Sequence, residues 1–292
     1  MEWAFADTYA SQCMPTSLPS VATFTLPELE PLTPELPGPT DKATFWLQRD
    51  IVRGVFQPNE RLKVEQLTKF YRLGHSPIRE AILLLSSTGL VVHEHQKGYR
   101  VAPTSIADYR DVVDAHHAIY QMVLAKAVER GDEAWEERVV VVLHRTMKVR
   151  KVLPDGDPQA RELWQRAYKA LHRELLSGSG SPVLEKIHGD LGDRAERYLN
   201  LYADFAPDRD RDHHAEHREI VDALIARDGA RLTGLVSRFF AGAQPLRENV
   251  FRRLEELESS RGATRRRRAG PAKAPATRAP VTPVRKAARK RA

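Results

Sequence analysis

The sequence predicts a mostly α-helical protein with two domains: an N-terminal winged helix-turn-helix with a small β wing, followed by an all-α bundle of six or seven helices. Apolar residues recur at helical spacing through most of residues 41–258. Two short strand-like segments interrupt that spacing near residue 100. The length of 292 residues and the 41% apolar content suit about two domains and exclude a wholly disordered chain.

The first domain is expected to span residues 41–104 and to begin with two helices. Apolar spacing places the first helix at 42–53. The second helix carries its apolar side on Val64 and Leu67 and ends in a sharp turn at 73–75. These two elements predict the first part of a helix-turn-helix.

A third helix and a wing complete this domain. Ser76 can cap the helix, Pro77 fits its first turn and Gly89 ends it. The buried side of the helix is expected to consist of Ile78, Ala81, Ile82 and Leu85. Residues 90–92 and 99–101 then alternate like two strands around a turn. This order of elements is that of a winged helix-turn-helix.

The second domain is expected to span residues 105–258 and to contain only helices. Glycine and proline divide it into seven segments with helical spacing. These segments are 106–129, 133–152, 158–177, 181–203, 211–227, 229–242 and 244–258. No internal repeat is evident, so the sequence predicts an all-α bundle.

Both ends of the chain are expected to be disordered. Residues 1–40 form an acidic leader with seven prolines, five acids and no lysine or arginine. Residues 259–292 form a basic tail, in which positions 261–292 hold twelve lysines or arginines and no acid. The high isoelectric point is therefore a property of the tail.

Composition also limits the class of function. No segment has the roughly 18 to 20 apolar residues of a membrane span, and no signal peptide pattern is present, so we expect a cytoplasmic protein without a membrane partner. The single cysteine, Cys13, excludes an internal disulfide and a cysteine-rich metal cluster.

The helix after the turn is the candidate functional element. Its first residues can enter a DNA major groove, where a guanidinium such as that of Arg79 can bridge N7 and O6 of guanine. The candidate DNA-binding residues are His75, Ser76 and Arg79 for the bases, and Lys69, Arg72, Lys97 and Arg100 for the phosphates. Residues 41–104 carry a net charge of +4, whereas 105–260 carry −4. The alternative is that Arg79 belongs to a solvated helix face, but the order of the elements favours DNA.

The start of the third helix resembles a known family. It reads Ser76-Pro77-Ile78-Arg79-Glu80-Ala81, followed by Leu85, Gly89 and Leu90, and is similar to the winged helix-turn-helix of GntR regulators. The later helices resemble the ligand-binding domain of the FadR subfamily, and the resemblance covers about residues 41–250. It implies a homodimer that binds an inverted-repeat operator on double-stranded DNA, most often as a repressor.

The resemblance also implies roles for single residues. Arg79 would read a base, and Lys97 would reach a minor groove from the tip of the wing. His75 follows Gly74 where the family usually has Ser-Arg, so the operator bases are expected to differ from those of typical members.

The second domain would, by the same resemblance, bind a small organic acid, often over a divalent metal held by one aspartate and three histidines. These four positions fall on Tyr168, His172, His217 and Phe239. Since two imidazoles rarely hold a metal alone, we expect His172 and His217 to be hydrogen-bonded groups that line a cavity. Tyr168 and Phe239 then make this cavity more apolar, which suits a different or larger effector, or none.

A metal site is the alternative, because the same domain contains further donors. These are His116, His117, His188, His213 and His214. Among them, His116 is an additional candidate for effector binding. The linker at 103–110 is expected to couple the effector to DNA binding.

Two other classes of function stay open. A nucleoid-associated protein would bind DNA mainly through its basic tail, with little sequence preference. An enzyme would use His172 or His217 as a base, but the sequence contains no nucleophile elbow, Walker loop, dinucleotide-binding glycine pattern or HExxH motif. We therefore expect a DNA-binding regulator and not an enzyme.

Overall fold

A computed structural model describes residues 36–152, 156–205 and 208–269. Most of the predicted leader, and the tail from residue 270, lie outside the described residues. The described residues up to Glu255 form one compact unit, and the described residues from Glu256 onward belong to a second. No described helix is long and apolar enough to cross a membrane.

The first part of the chain is a winged helix-turn-helix. Its elements are α1 (Pro39–Val52), α2 (Val64–Tyr71), α3 (His75–Ser87), β1 (Val91–Glu94) and β2 (Gly98–Val101). The two strands pair antiparallel, with Val91 opposite Val101 and Glu94 opposite Gly98. This confirms the predicted three helices and β wing.

α1 and α3 share the core of this domain. Leu47 and Ile51 of α1 pack in one buried cluster with Ile78 and Ile82 of α3, and all four side chains are fully buried. The buried carboxylate of Asp50 ties α1 to α2, because it accepts a hydrogen bond of 2.8 Å from the Tyr71 hydroxyl. The orientation of α3 is therefore fixed by α1.

The start of α3 differs from the prediction. The residue before the helix is Gly74, which has no side chain to cap it, and Ser76 lies inside the first turn. The expected Ser76 cap is therefore wrong. The turn instead places Arg72 in the left-handed conformation (φ 54°) and Gly74 in an extended one. Pro77 still falls in the first turn, where its missing N–H has no helical partner to lose.

The second part of the chain is all-helical. Its elements are α4 (Ile106–Arg130), α5 (Glu133–Met147), α6 (Pro158–Ser177), α7 (Pro182–Tyr202), α8 (His213–Ile225), α9 (Gly229–Gly242) and α10 (Gln244–Ala269). Five of these helices begin after a residue whose side chain accepts a hydrogen bond from the first turn. These capping residues are Ser105, Asp132, Asp157, Asp212 and Asp228. The seven helices found among the described residues confirm the predicted all-α bundle.

The bundle core is built around Trp135. The Trp135 indole N–H donates to the carbonyl of Glu174, with a nitrogen to oxygen distance of 2.8 Å. The backbone comes so close that a Cβ at Gly131 would lie 2.1 Å from the indole, and one at Gly178 would lie 2.4 Å from it. Only glycine fits these two positions.

α10 extends further than expected. The prediction ended the last helix at residue 258 and began a disordered tail at 259, but the helix continues to Ala269. This correction has a simple cause, since arginine and alanine favour helix and the next proline is Pro271.

Candidate nucleic-acid interface and internal cavity

The N-terminal end of α3 presents the predicted base-reading residues to solvent. His75, Ser76 and Arg79 are all exposed, whereas Ile78 and Ala81 of the same helix are buried. His75 and Arg79 are four residues apart, so they lie on the same face of the helix. The first N–H groups of α3 have no helical acceptors and add a partial positive charge there.

The base-reading residues differ in how they are held. Among the described residues, neither the imidazole of His75 nor the guanidinium of Arg79 has a hydrogen-bonding or ion-pair partner. The neighbouring Glu80 is held by α1, because the Thr40 hydroxyl donates to it at 2.7 Å. The Ser76 hydroxyl contacts the other Glu80 oxygen at 3.4 Å. The Glu80 carboxylate, which could repel a DNA phosphate, is thus held by hydrogen bonds within the domain.

Three of the predicted phosphate-binding residues are exposed cations. Lys69 and Arg72 lie at the end of α2, and Lys97 lies in the turn of the wing. This turn is tight, because Gln96 and Gly98 both have positive φ angles, of 62° and 82°. Lys97 is therefore presented at the tip of the hairpin.

Arg100, the fourth predicted phosphate-binding residue, is engaged inside the domain. Its guanidinium donates to Glu94 at 3.0 Å and to the carbonyl of Asn59 at 2.8 Å. We therefore assign Arg100 mainly to holding the wing against the preceding loop. The sequence could not show this, since Asn59 and Arg100 are 41 residues apart.

The second candidate site is a chain of hydrogen bonds through the middle of the helical domain. The Tyr120 hydroxyl lies 2.8 Å from Nδ1 of His172, and Nε2 of His172 lies 3.1 Å from Nε2 of His217. Nδ1 of His217 lies 2.7 Å from the backbone carbonyl of His213. α4, α6 and α8 are joined by this chain.

Burial fixes the protonation along the chain. It lowers the pKa of the His217 imidazole to about 4 and that of His172 well below its usual value, so both are neutral at pH 7. The carbonyl can only accept, so we assign the His217 proton to Nδ1. Nε2 of His217 then accepts from His172, and Nδ1 of His172 accepts from Tyr120.

This arrangement does not fit a metal ion. Both imidazole lone pairs are used by hydrogen bonds within the chain, and the remaining two family positions hold Tyr168 and Phe239. The Tyr168 and Phe239 rings lie edge-on to His217, at centroid distances of 4.7 and 5.0 Å. Within the described ranges, no group of three or more His, Cys, Asp or Glu side chains could hold a metal.

A cavity of about 660 Å³ lies beside the histidine chain. Three of the predicted effector residues line it, namely His116, His172 and Phe239, whereas His217 and Tyr168 are not among the lining residues. Burial, together with His188 and His117, lowers the pKa of His116 to about 3. The ring of His116 stacks on that of His188, with centroids 4.5 Å apart.

Sequence reasoning missed several lining residues. Tyr120 follows His116 by one helical turn, and that spacing was a usable signal. Gln48 and Arg49 of α1, and Arg53 directly after it, also line the cavity, and nothing in the sequence pairs α1 with the helical domain.

The two sites together define a class of protein. A winged helix-turn-helix with exposed cations on and around α3, joined to a helical domain with a cavity, is the architecture of a DNA-binding transcription regulator. Residues 41–101 match the family described as bacterial regulatory proteins, gntR family, and residues 111–242 match the FCD domain. The chain belongs to the GntR family and has the C-terminal domain of its FadR-like subfamily, as the resemblance predicted.

Relatives and solved structures agree with this assignment. The HTH-type transcriptional repressor GlaR of Escherichia coli K12 is 33% identical over 204 residues, which are 69% of this chain and 92% of that protein. The HTH-type transcriptional regulator BphR of Paraburkholderia xenovorans LB400 is 32% identical, over 67% of this chain and 80% of the relative. The structure of E. coli McbR/YncC has the same fold, with a TM-score of 0.56, 17% identity, and coverage of 70% of this chain and 94% of that one.

Proposed function

We propose that this GntR-type regulator is a repressor that binds an inverted-repeat operator as a homodimer. The observation that carries the proposal is the exposed guanidinium of Arg79 at the N-terminal end of α3, beside His75 and Ser76. Repression is inferred from the relative named a repressor. A two-fold dimer presents two such helices to two half-sites. A regulator of this kind acts on the chromosome, so we infer that it works in the cytoplasm at the nucleoid.

Operator selection from random DNA with the full chain tests this proposal. We expect the selected site to be an inverted repeat, bound by two chains, with an affinity at least ~10³-fold above that for random DNA. Analytical ultracentrifugation of the complex gives the number of chains. A preference below about tenfold would instead favour the nucleoid-associated protein.

The basic tail separates these two functions further. Positions 270–292 hold seven of the twelve tail cations. Each cation that contacts a phosphate steepens the log–log salt dependence of DNA affinity by about 0.9. Truncation after Ala269 should flatten the salt dependence on random and operator DNA alike, and leave the ratio of the two affinities unchanged. Loss of that ratio would assign the specificity to the tail.

We also infer that a small organic molecule, by family resemblance an organic acid, binds in the cavity without a metal. A cavity of about 660 Å³ lies within the usual range for small-molecule sites. Its histidines are neutral, and Phe239 and Phe240 supply apolar surface.

A panel of aliphatic and aromatic carboxylic acids, with benzoate as the first probe, tests the ligand. We expect at least one acid to raise the melting temperature equally in EDTA and in added Zn²⁺, while Zn²⁺ alone has no effect. A rise that disappears in EDTA would contradict binding without a metal. If no acid in the panel raises the melting temperature, the proposal that the ligand is an organic acid is contradicted.

A further inference from the structure

The cavity has walls from both domains. The helical domain contributes His116, His172 and His188, among others. The DNA-binding domain contributes four residues of α1, namely Phe45, Gln48, Arg49 and Val52, and also Arg53, which directly follows α1. A molecule that fills this space therefore meets the DNA-binding domain directly.

Polar contacts tie α1 to the helical domain around the cavity. The Gln48 amide donates to Asp193 of α7. Arg53 pairs with Glu162 of α6 at 2.8 Å. The Asn200 amide of α7 also donates to the carbonyl at the end of α1, at 3.0 Å. Two of these contacts, Gln48 with Asp193 and Arg53 with Glu162, join side chains that both line the cavity.

The opposite side of α1 belongs to the core that holds α3. Leu47 and Ile51 are fully buried against Ile78 and Ile82, and Thr40 holds Glu80. Packed interiors have few voids and transmit displacements rather than absorbing them. A shift of α1 at the cavity therefore moves α3 at the DNA.

The linker contacts form a separate set. Tyr202 is hydrogen-bonded to Thr104 at 2.7 Å, Tyr198 donates to Asp108 at 2.7 Å, and Arg197 donates to the carbonyl of Ala102. None of these three α7 residues lines the cavity. A ligand in the cavity contacts α1 directly and contacts α4 at His116 and Tyr120, beyond the end of the linker, but it does not contact the three α7 residues that hold the linker.

The end of the cavity at His116 and His188 offers hydrogen bonds that no described residue uses. Nε2 of His116 and Nε2 of His188 are both buried without a partner there. Gly189 and Gly192 line the cavity on the same helix as His188; Gly189 is exposed, and a Cβ there would meet no atom within 4 Å. This end suits one polar group of a ligand, with an apolar body along Phe239 and Phe240.

We propose that the effector binds between the two domains, with a polar group at His116 and His188 and its far end against α1, and that it controls DNA binding through the Gln48–Asp193 contact. The linker at 103–110, expected from the sequence to carry the coupling, is then a secondary route. This inference rests on the proposed function, because it concerns how the same cavity is coupled to the operator.

A side chain introduced into the cavity serves as the probe. Gly189→Leu adds a side chain to the cavity wall at an exposed helical glycine, where a Cβ would meet no atom within 4 Å. Gly234→Leu is the matched control, because Gly234 is likewise an exposed helical glycine without a neighbour within 4 Å, but lies on α9 outside the cavity. We expect Gly189→Leu to change the operator Kd at least fivefold and Gly234→Leu to change it less than twofold. A change below fivefold for Gly189→Leu would overturn the proposal.

Double-mutant cycles identify the route. Gln48→Leu removes the amide that contacts Asp193, and Tyr202→Phe removes a hydroxyl that contacts the linker. Residues that share contacts couple, whereas distant ones add independently. We expect Gly189→Leu to couple more strongly with Gln48→Leu than with Tyr202→Phe. Stronger coupling with Tyr202→Phe would assign the control to the linker and overturn the proposal.

A measurement without DNA keeps this test separate from the proposed function. Trp46 lies on α1, where Arg49 covers its ring at 4.1 Å, and Trp135 lies in the bundle core. In protein labelled with 5-fluorotryptophan, Gly189→Leu should shift the fluorine resonance of Trp46 and leave that of Trp135 in place. An unmoved Trp46 resonance would overturn the link to α1, even if the wild type shows no operator preference. The unchanged Trp135 resonance shows that the variant is folded.

Discussion

The end of α3 and the histidine chain of the helical domain handle polar groups in opposite ways. At α3, Arg79 and His75 are exposed and have no described partner inside the protein. In the helical domain, Tyr120 and His217 are buried, His172 between them is half-buried, and the three side chains are joined by hydrogen bonds. The first site therefore has polar groups available to bind another molecule. In the second site the hydrogen bonds from Tyr120 to His217 are already complete, so a ligand must use the neighbouring unpaired nitrogens of His116 and His188.

The largest expected effect is on stability and falls only on the buried site. His172→Leu leaves the Tyr120 hydroxyl and Nε2 of His217 buried without their partner. Since each unsatisfied group costs about 1–3 kcal/mol, we expect the free energy of unfolding to fall by about 2–4 kcal/mol. Urea denaturation measures it, with Arg79→Ala as the surface comparison, expected within about 0.5 kcal/mol of wild type. An equal loss of unfolding free energy in both variants would show that the hydrogen bonds of His172 contribute no more to stability than an exposed side chain does.

The next effect is on DNA affinity and falls only on the exposed site. Arg79→Ala should weaken operator binding by about 1–3 kcal/mol and relax the preference at one base pair of each half-site. Arg231→Ala, on an exposed position of α9, is the control and should bind as wild type does. Fluorescence anisotropy on operators with single base changes measures both. If Arg79→Ala lowers affinity for every operator variant by the same factor, Arg79 contacts a phosphate and does not read a base.

The third effect is the pH dependence of stability. Burial keeps His188 neutral in the folded state by lowering its pKa to about 4, whereas an unfolded histidine titrates near 6.5. The unfolded state therefore takes up the proton first, and stability falls as the pH drops from about 6.5 toward 4. Each such histidine contributes a slope of up to about 1.4 kcal/mol per pH unit.

Substitution of one histidine measures that slope. His188→Phe keeps a ring against His116 and should flatten the dependence of unfolding free energy on pH between 6.5 and 4.5. His144→Gln, at an exposed position, should leave the slope as it is. If both variants keep the wild-type dependence of unfolding free energy on pH, His188 is not held in its neutral form by burial.

The smallest effect is at the tip of the wing. Lys97→Ala should weaken binding to all sequences alike and reduce the log–log salt slope by about 0.9, because Lys97 is expected to neutralise one phosphate. Titrations at several salt concentrations, on operator and on random DNA, give the slope. A loss restricted to the operator would make Lys97 a base-reading residue.

Sequence alone predicts the exposed site well, because that site is local. The spacing of His75, Ser76 and Arg79 within one helical turn, after a turn marked by Gly74, already places them on one surface. The same spacing rules placed six of the seven helices of the second domain within about five residues at each end, whereas α10 continues 11 residues beyond its expected end. The prediction of Ser76 as a cap is wrong because the helix begins one residue earlier, at His75, so that Ser76 lies inside the first turn.

The buried site is harder to predict because its geometry is tertiary. Tyr120, His172 and His217 come from three helices, and only their packing shows that each ring nitrogen finds a partner. The sequence predicted the loss of two metal ligands, because Tyr168 and Phe239 occupy their positions. It did not predict that α1 forms one wall of the cavity. Gln48 and Asp193 are 145 residues apart, and their contact exists only in the assembled fold.

The most direct test of the central claim, that α3 enters the major groove and Arg79 reads a base there, uses 7-deazaguanine. This base lacks the N7 acceptor that a guanidinium would use. Each guanine of the selected operator is replaced in turn, and the affinities of wild type and Arg79→Ala are compared. We expect the wild type to lose affinity at one symmetry-related pair of guanines and Arg79→Ala to lose nothing further there. Indifference of the wild type to every replacement, or an equal loss in both proteins, would contradict the account.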